Sequence, residues 1–140
     1  MELPDINKKI YDLVRTHETR NPFRIARELG VIVLFENLGD IYGYYSKHKR
    51  IKFIHINENL TEDDKLVTCA HELAHSICHP NENTPFLSKS TIVSELKIEK
   101  EANYFATRLI VDGTHNDIEL ISKFEILDYY GLPESFERFL

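Results

Sequence analysis

The amino-acid sequence predicts an α+β fold, with helices around a small sheet, in one domain covering residues 1–140. Two segments with helical spacing of apolar residues come first, three segments rich in β-branched and aromatic residues follow, and helical spacing then returns. Helices and strands in separate runs are typical of α+β proteins, whereas parallel α/β folds alternate them. A chain of 140 residues is also long enough to bury a substantial core.

Two helices are predicted at the amino-terminal end. Over residues 4–16, apolar side chains including Ile6 and Ile10 recur at helical spacing, and the proline at position 4 suits a first turn. Residues 22–29 predict a shorter helix, which also begins with proline and is closed by Gly30.

The second helix is also similar to the first half of a DNA-binding helix-turn-helix, since residues 25–31 run into a glycine turn. The second half is missing, because residues 31–35 are β-branched or aromatic. The formal net charge of −6 also argues against a nucleic-acid interface built on Arg24 and Arg27. We therefore expect no direct contact with nucleic acid.

Three strands are predicted next, over residues 31–35, 40–46 and 50–57, where β-branched and aromatic residues concentrate. A polar turn at residues 47–49 separates the last two and predicts a hairpin. We expect the three strands to form a small antiparallel sheet.

A helix with the pattern of a zinc site follows the strands. Thr61 suits the N-cap, acidic residues fill the first turn, and Pro80 ends the helix. Because apolar residues cover most of its circumference, we expect the helix to be buried, with one polar strip. His71, Glu72 and His75 lie on that strip and match the pattern H-E-x-x-H.

The spacing gives each member of this pattern a role. His71 and His75 differ by only about 40° around the helix axis and lie one turn apart, so both imidazoles can reach one ion. Glu72 lies about 100° round from His71, where it can accept a proton from water bound to the metal. The pattern thus predicts Zn2+ held by the two histidines, with Glu72 as the catalytic base. Buried polar groups need partners, which favours a metal over solvated histidines.

A catalytic zinc ion needs a third protein ligand and one open position. One class of zinc peptidases has a third histidine at the position that is Asn81 here. His79 lies about 12 Å along the helix axis from His71, too far for both to converge with His75. We therefore expect a carboxylate from another helix.

Residues 94–110 predict that helix, and Glu99 lies in the middle of its apolar face. Because an unpaired buried carboxylate is costly, Glu99 needs a cation; zinc is our prediction, and a lysine or arginine is the alternative. Asn103, one turn on, is expected to orient the Glu99 carboxylate. Glu95 shares the inward side as the reserve ligand, whereas Glu101 falls on the face expected to be exposed to solvent.

The remaining segments carry less of the predicted chemistry. Residues 81–89 predict a polar loop at the rim of the site, and residues 116–140 predict a last helical region interrupted at 131–133. Cys69 and Cys78 lie on the metal-site helix about 13 Å apart along its axis, so we expect two unpaired thiols.

Composition and terminal residues favour a cytoplasmic protein. The chain is 42% hydrophobic and 29% charged, as in ordinary soluble globular proteins. No apolar run is long enough to span a membrane, and residues 1–5 lack the pattern of a signal sequence.

Two segments together resemble a known family. The sequence His71-Glu72-Leu73-Ala74-His75, followed by residues 99–106, is similar to the ImmA/IrrE family of metallo-endopeptidases of bacteria, prophages and mobile elements. The similarity covers about residues 20–110. Alanine at position 74, where the family usually has glycine, is a mild departure. Residues 109–113 are another, since the family tends to have a leucine-rich turn with proline there.

The resemblance implies a zincin-like domain in which His71, His75 and Glu99 bind Zn2+ and Glu72 is the catalytic glutamate. It also implies a protein substrate, a transcriptional repressor with a helix-turn-helix, whose cleavage derepresses a prophage or mobile element. The predicted reaction is hydrolysis of a peptide bond by zinc-bound water that Glu72 activates.

Two points stay open at the level of sequence. Candidates for the group that stabilises the oxyanion are Tyr104, His115, His55 and the Tyr44–Tyr45 pair. The alternative function is a catalytically inactive zincin-like module that binds a repressor or another regulatory protein. A fourth protein ligand on the metal, such as His79 or Glu95, would favour that alternative.

Overall fold

The computed structural model describes residues 2–120 and 122–140, so predictions for Met1 and Ile121 lie outside the described residues. The helices are α1 (Leu3–His17), α2 (Pro22–Glu28), α3 (Glu62–Cys78), α4 (Lys97–Ile110) and α5 (Lys123–Tyr130). The strands are β1 (Ile32–Glu36), β2 (Ile41–His48), β3 (Ile51–Asn57) and β4 (Leu87–Ser88). Short 3-10 turns occupy Thr91–Val93, Thr114–Asp117 and Glu134–Phe139. The α+β class is confirmed.

The amino-terminal helices agree with the prediction to within one residue at each end. Asn21 caps α2, because its side-chain oxygen accepts a hydrogen bond of 2.9 Å from the backbone N–H of Phe23. Gly30 follows α2 with φ of +79°, a conformation that favours glycine.

The sheet differs from the prediction in strand number and direction. It is mixed, with four strands in the order β1-β3-β2-β4, and β1 runs parallel to β3. Strands β2 and β3 form the expected antiparallel hairpin. Because β3 inserts between β1 and β2, the first two strands along the chain are not neighbours in the sheet. An alternating apolar pattern shows which face of a strand is buried, but it does not identify the neighbouring strand.

The fourth strand lies in the segment predicted to be a loop. Leu87 pairs with Gly43 and Ser88 pairs with Ile41, antiparallel to β2. Two residues are too few to show the periodicity of a strand, so the sequence carried no signal for β4.

Helix α3 lies between the inner face of the sheet and α4, with a core of apolar side chains around it. Side-chain atoms at Gly43 would overlap the carbonyl oxygen of His55 and would come within 2.7 Å of Thr68 Cγ2. Glycine at this position therefore allows α3 to lie close to β2. All residues 67–76 of α3 are buried, so its polar strip faces the interior of the protein.

The carboxyl-terminal part of the chain is less helical than predicted. The 3-10 turn Thr114–Asp117, helix α5 and the 3-10 turn Glu134–Phe139 replace the predicted helical region 116–140. Gly131, with φ of +70°, ends α5 at the predicted interruption.

Cys69 and Cys78 are free thiols, as predicted. Burial raises the pKa of Cys69 above its usual range, so it is an unreactive apolar residue of the core. Among the helices of residues 2–120 and 122–140, none has the length and apolar character needed to cross a bilayer.

Candidate metal centre

Helix α3 brings the side chains of His71 and His75 to one point. The Thr61 hydroxyl accepts a hydrogen bond of 3.2 Å from the backbone N–H of Asp64, and acidic residues in the first turn suit the helix dipole. The Nε2 atoms of the two histidines lie 3.2 Å apart, and both side chains are buried. The one-turn spacing therefore directs two ring nitrogens to the same place.

Glu99 reaches this point from the first turn of α4. Its Oε2 lies 2.9 Å from His71 Nε2, and its Oε1 lies 3.0 Å from His75 Nε2. Its close partners are thus histidines, whereas the alternative predicted a lysine or arginine. In a tetrahedral zinc site with bonds of about 2.0–2.1 Å, ligand atoms lie roughly 3.3 Å apart. The three side chains have the spacing that suits one shared divalent cation.

Several carboxylate oxygens of this cluster lack hydrogen-bond partners among the residues that the structure describes. Both oxygens of Glu72 are buried without a partner, and the 3.0 Å contact of Glu99 Oε1 lacks hydrogen-bond geometry. Possible ligand atoms of His71, Glu72 and His75 lie within 4.8 Å of one another. Unpaired buried carboxylates are costly, and a divalent cation would compensate their charge. Glu99 contacts both imidazoles directly, whereas neither oxygen of Glu72 makes a hydrogen bond within the described residues.

Burial and neighbouring charges shift the pKa values of these side chains. Burial is the largest cause in Glu72 and raises its pKa to about 7, against a smaller opposing effect of His71. Burial also lowers the pKa of His75 to about 4. In Glu99, burial acts to raise the pKa, but the contacts with His71 and His75 outweigh it and lower the pKa to about 2. At pH 7 Glu99 is therefore ionised and His75 is neutral, as metal ligands must be.

Asn103 contacts His71, which corrects the predicted contact with the carboxylate of Glu99. Its Oδ1 lies 2.7 Å from His71 Nδ1, and its Nδ2 donates a hydrogen bond of 2.9 Å to the backbone oxygen of Ile92. The second bond fixes the orientation of the amide, so Oδ1 accepts a hydrogen bond from the N–H at His71 Nδ1. The His71 tautomer with a free lone pair on Nε2 is thereby favoured.

Glu101 is buried, which corrects its predicted exposure to solvent. It is 6% exposed, and its Oε1 lies 3.2 Å from Nε2 of the buried His79. Helix α4 is buried on nearly every side, so the expectation of one solvent-facing side failed there. His79 in turn lies 3.0 Å from the outer ring nitrogen of His75. The four-residue separation of His79 from His75 was the sequence feature that could have predicted this contact, because residues four apart are neighbours on a helix surface.

Comparison with known proteins places the chain in a family. The peptidase family M78, described as an IrrE N-terminal-like domain, matches residues 26–119. A Bacillus subtilis (strain 168) protein called Metallopeptidase ImmA is 32% identical over 135 residues, which cover 91% of this chain and 79% of that protein. The chain belongs to the ImmA/IrrE family.

A second relative comes from Bacillus phage phi105 and is called Uncharacterized immunity region protein 2. It is 38% identical over 107 residues, which cover 76% of this chain and 68% of that protein. No solved structure gave a significant match. The ImmA/IrrE match includes α3 and α4, the two helices that form the cluster.

The two departures from the ImmA/IrrE pattern leave these helices regular. Ala74, in place of the usual glycine, is fully buried inside α3. Helix α4 continues to Ile110, after which Val111 adopts an extended conformation. Both differences therefore lie outside the contacts among His71, His75 and Glu99.

The reserve ligand Glu95 is at the surface, which corrects its predicted inward position. It precedes α4, which begins at Lys97 rather than at residue 94. The direction of its side chain therefore could not be predicted from its angular position on that helix. Its carboxylate lies 2.7 Å from Arg138 Nη1 and 3.6 Å from Lys100 Nζ. Glu95 therefore forms surface ion pairs with two basic side chains.

The residues proposed for the oxyanion each have other partners. Tyr104 donates to Asn7 Oδ1 at 2.8 Å, Tyr45 donates to the backbone oxygen of Pro80 at 2.8 Å, and His115 Nδ1 lies 2.6 Å from the Tyr130 hydroxyl. His55 lies between Ser46 and Glu36, and its ring stacks on Tyr44 at 4.1 Å. These contacts select no single candidate.

Proposed function

We propose that this chain is a zinc-dependent endopeptidase that acts as a single domain in the cytoplasm. In this proposal His71, His75 and Glu99 hold the metal, and Glu72 is the catalytic base. The observation that carries it is the convergence of two ring nitrogens and one carboxylate at distances of 2.9–3.2 Å in a buried site. Membership of a peptidase family supports the reaction class.

The residues of the cluster divide the chemistry between them. A zinc ion held there would supply Lewis acidity, lowering the pKa of a bound water towards ~7 and polarising the scissile carbonyl. Glu72, whose two oxygens have no hydrogen-bond partner among the described residues and whose pKa is raised to about 7, accepts the proton that the attacking water loses. It returns that proton to the nitrogen of the leaving amine as the C–N bond breaks. Asn103 keeps His71 in the tautomer that a ligand needs.

We further propose that the substrate is a transcriptional repressor, with a helix-turn-helix, of a prophage or mobile element. The resemblance to the ImmA/IrrE family supports a repressor as the substrate. The name of the phage relative, an immunity region protein, supports a role in phage immunity. The net charge of −6 argues against direct binding of nucleic acid by this chain.

Two contacts argue against the non-catalytic alternative. His79 meets the outer nitrogen of His75, on the other side of the ring from Nε2, and Glu95 is paired with Arg138 at the surface. Neither is positioned as a fourth ligand, and an open coordination position is what a hydrolytic zinc site requires.

The test combines metal analysis with a cleavage assay. The purified protein is analysed for zinc and incubated with the helix-turn-helix repressor encoded nearest to its gene, with and without a chelator. We expect one zinc per chain and cleavage that the chelator stops. Glu72→Gln should keep the zinc and lose cleavage, whereas Glu62→Gln, an exposed change on the same helix, should behave as the wild type.

Other outcomes would contradict the proposal. Cleavage that continues in the chelator, or in Glu72→Gln at the wild-type rate, would exclude the assigned chemistry. Formation of a stable complex with the repressor, without cleavage by the zinc-loaded wild type, would favour the binding module.

A further inference from the structure

The two histidines of the cluster have different partners on their outer nitrogens. His71 contacts the amide of Asn103, whereas His75 contacts His79, which contacts Glu101. We propose that His79 and Glu101 are positioning residues that hold the His75 ring in the tautomer and orientation needed to bind the metal. This inference rests on the proposed function, because it assumes that His75 is a ligand.

The contacts form a continuous buried chain from α4 to the cluster. Glu101 Oε1 lies 3.2 Å from His79 Nε2, and His79 Nδ1 lies 3.0 Å from His75 Nδ1. His79 and Glu101 are each 6% exposed, and His75 is fully buried. Because water has little access, these hydrogen bonds face little competition from solvent and orient the rings strongly.

One assignment of protons satisfies every group in this chain. A metal ligand needs a lone pair on His75 Nε2, so the proton of that ring lies on Nδ1. It is donated to Nδ1 of His79, which must then carry its own proton on Nε2. That proton is donated to the carboxylate of Glu101. Both rings are neutral, and the series of donors ends on an anion.

The partner of His75 is electrostatically stronger than the partner of His71. Asn103 is a neutral amide that donates its remaining hydrogen bond to the backbone oxygen of Ile92. The chain behind His75 ends on a carboxylate, which polarises both rings and makes His75 Nε2 a better donor to a metal. Helix α4 thus supplies Glu99 to the cluster, Asn103 to the outer nitrogen of His71, and Glu101 to the far side of His79.

The position of His79 excludes a direct role on the same ion. It lies against Nδ1 of His75, whereas Nε2 of His75 faces His71 and Glu99. The two nitrogens point to opposite sides of an imidazole ring. His79 therefore acts on the metal only through His75.

The experiment measures zinc affinity in variants at position 79. His79→Leu keeps a bulky side chain but removes the acceptor for His75. His79→Gln keeps both functions, since its amide oxygen can accept from His75 and its amide nitrogen can donate to Glu101. His48→Leu is the matched control, because His48 is exposed at the end of β2. Zinc dissociation constants come from competition with a chelator, and Co2+ absorption spectra report the ligand geometry.

We expect His79→Leu to weaken zinc binding by roughly 10–100-fold and to alter the Co2+ spectrum, as loss of an outer partner does. His79→Gln should stay within about threefold of the wild type, because it restores the hydrogen bonds. Unfolding temperatures measured in chelator identify variants that are merely misfolded. If His79→Leu does not fold, Glu101→Gln replaces it: it keeps an acceptor for His79 and removes the charge, and should weaken binding by about three- to tenfold.

Wild-type zinc affinity and an unchanged Co2+ spectrum in folded His79→Leu would overturn the inference. So would unchanged affinity in Glu101→Gln when that variant is used. A wild-type protein that binds no zinc would overturn the proposed function itself, so the two failures are distinguishable.

Discussion

The outer face of the sheet and the space between α3 and α4 both hold histidine next to glutamate, but only one has the geometry of a metal site. On the sheet, His55 Nδ1 lies 2.6 Å from Glu36 Oε1 and His55 Nε2 lies 2.9 Å from Ser46 Oγ. Both ring nitrogens are therefore used. Between the helices, the Nε2 atoms of two histidines meet one carboxylate.

The two clusters also differ in how deeply their side chains are buried. The side chains of His55 and Glu36 are 13% and 42% exposed, so water can satisfy their remaining polar atoms. Glu72 and Glu99 are at most 1% exposed and have carboxylate oxygens without hydrogen-bond partners in the part of the chain that the structure describes. Residue types alone thus do not indicate a metal site. A metal site is indicated by lone pairs that converge on one point and by buried charges that lack partners. Matched variants of the two clusters can test both features.

Substitutions in the two clusters should differ most in their effect on the zinc content of the protein. His71→Ala, His75→Ala and Glu99→Ala each remove one of three proposed ligands, so we expect loss of bound zinc and of activity together. His55→Ala removes a histidine from the sheet and should leave the zinc content unchanged. Elemental analysis of the purified variants measures this. Equal zinc in Glu99→Ala and wild type would refute Glu99 as a ligand.

Glu72 should affect the rate of cleavage and not the binding of zinc. Glu72→Gln removes the base, so we expect the rate of cleavage to fall by roughly 10²–10⁴-fold, while zinc content stays at the wild-type level. Single-turnover cleavage of the repressor measures the rate. Loss of zinc in this variant would instead make Glu72 a ligand.

The buried charge of Glu72 should also affect the stability of the protein in chelator. Its pKa is raised from 4.5 to about 7 in the folded chain, so between these pH values the folded state binds more protons than the unfolded state. Stability is therefore lost as pH rises through this window. At pH 8 we expect Glu72→Gln to be more stable than wild type by roughly 3 kcal/mol, and equally stable below about pH 4.5. Denaturant titrations at both pH values test this, and a constant difference would contradict it.

The smallest effect is expected from a substitution in the cluster on the sheet. Glu36→Gln weakens a partly exposed pair with His55, so the free energy of unfolding should change by no more than about 1 kcal/mol, with zinc affinity unchanged. Thermal unfolding and chelator competition measure the two quantities. A clear fall in zinc affinity would mean that the two clusters are coupled through β3.

The sequence by itself determined most of the longer helices and strands and the side chains that could meet in the cluster. Periodicity and capping residues predicted α1, α2 and α3 closely, because these signals act within one or two helical turns. The spacing of His71 and His75, and the position of Glu99 on an apolar face, identified the side chains that the structure brings together. Within one helix, the distance between two residues follows from their separation along the chain.

Only the tertiary structure decided how the elements pair and which outer partner each histidine of the cluster has. The parallel pairing of β1 with β3, the two-residue β4, and the burial of Glu101 against His79 all depend on contacts between segments distant in sequence. Asn103 was recognised as a partner of the site, but its contact is with His71. Local patterns show which face of an element is buried, whereas the angle and distance at which two elements pack decide which atoms meet.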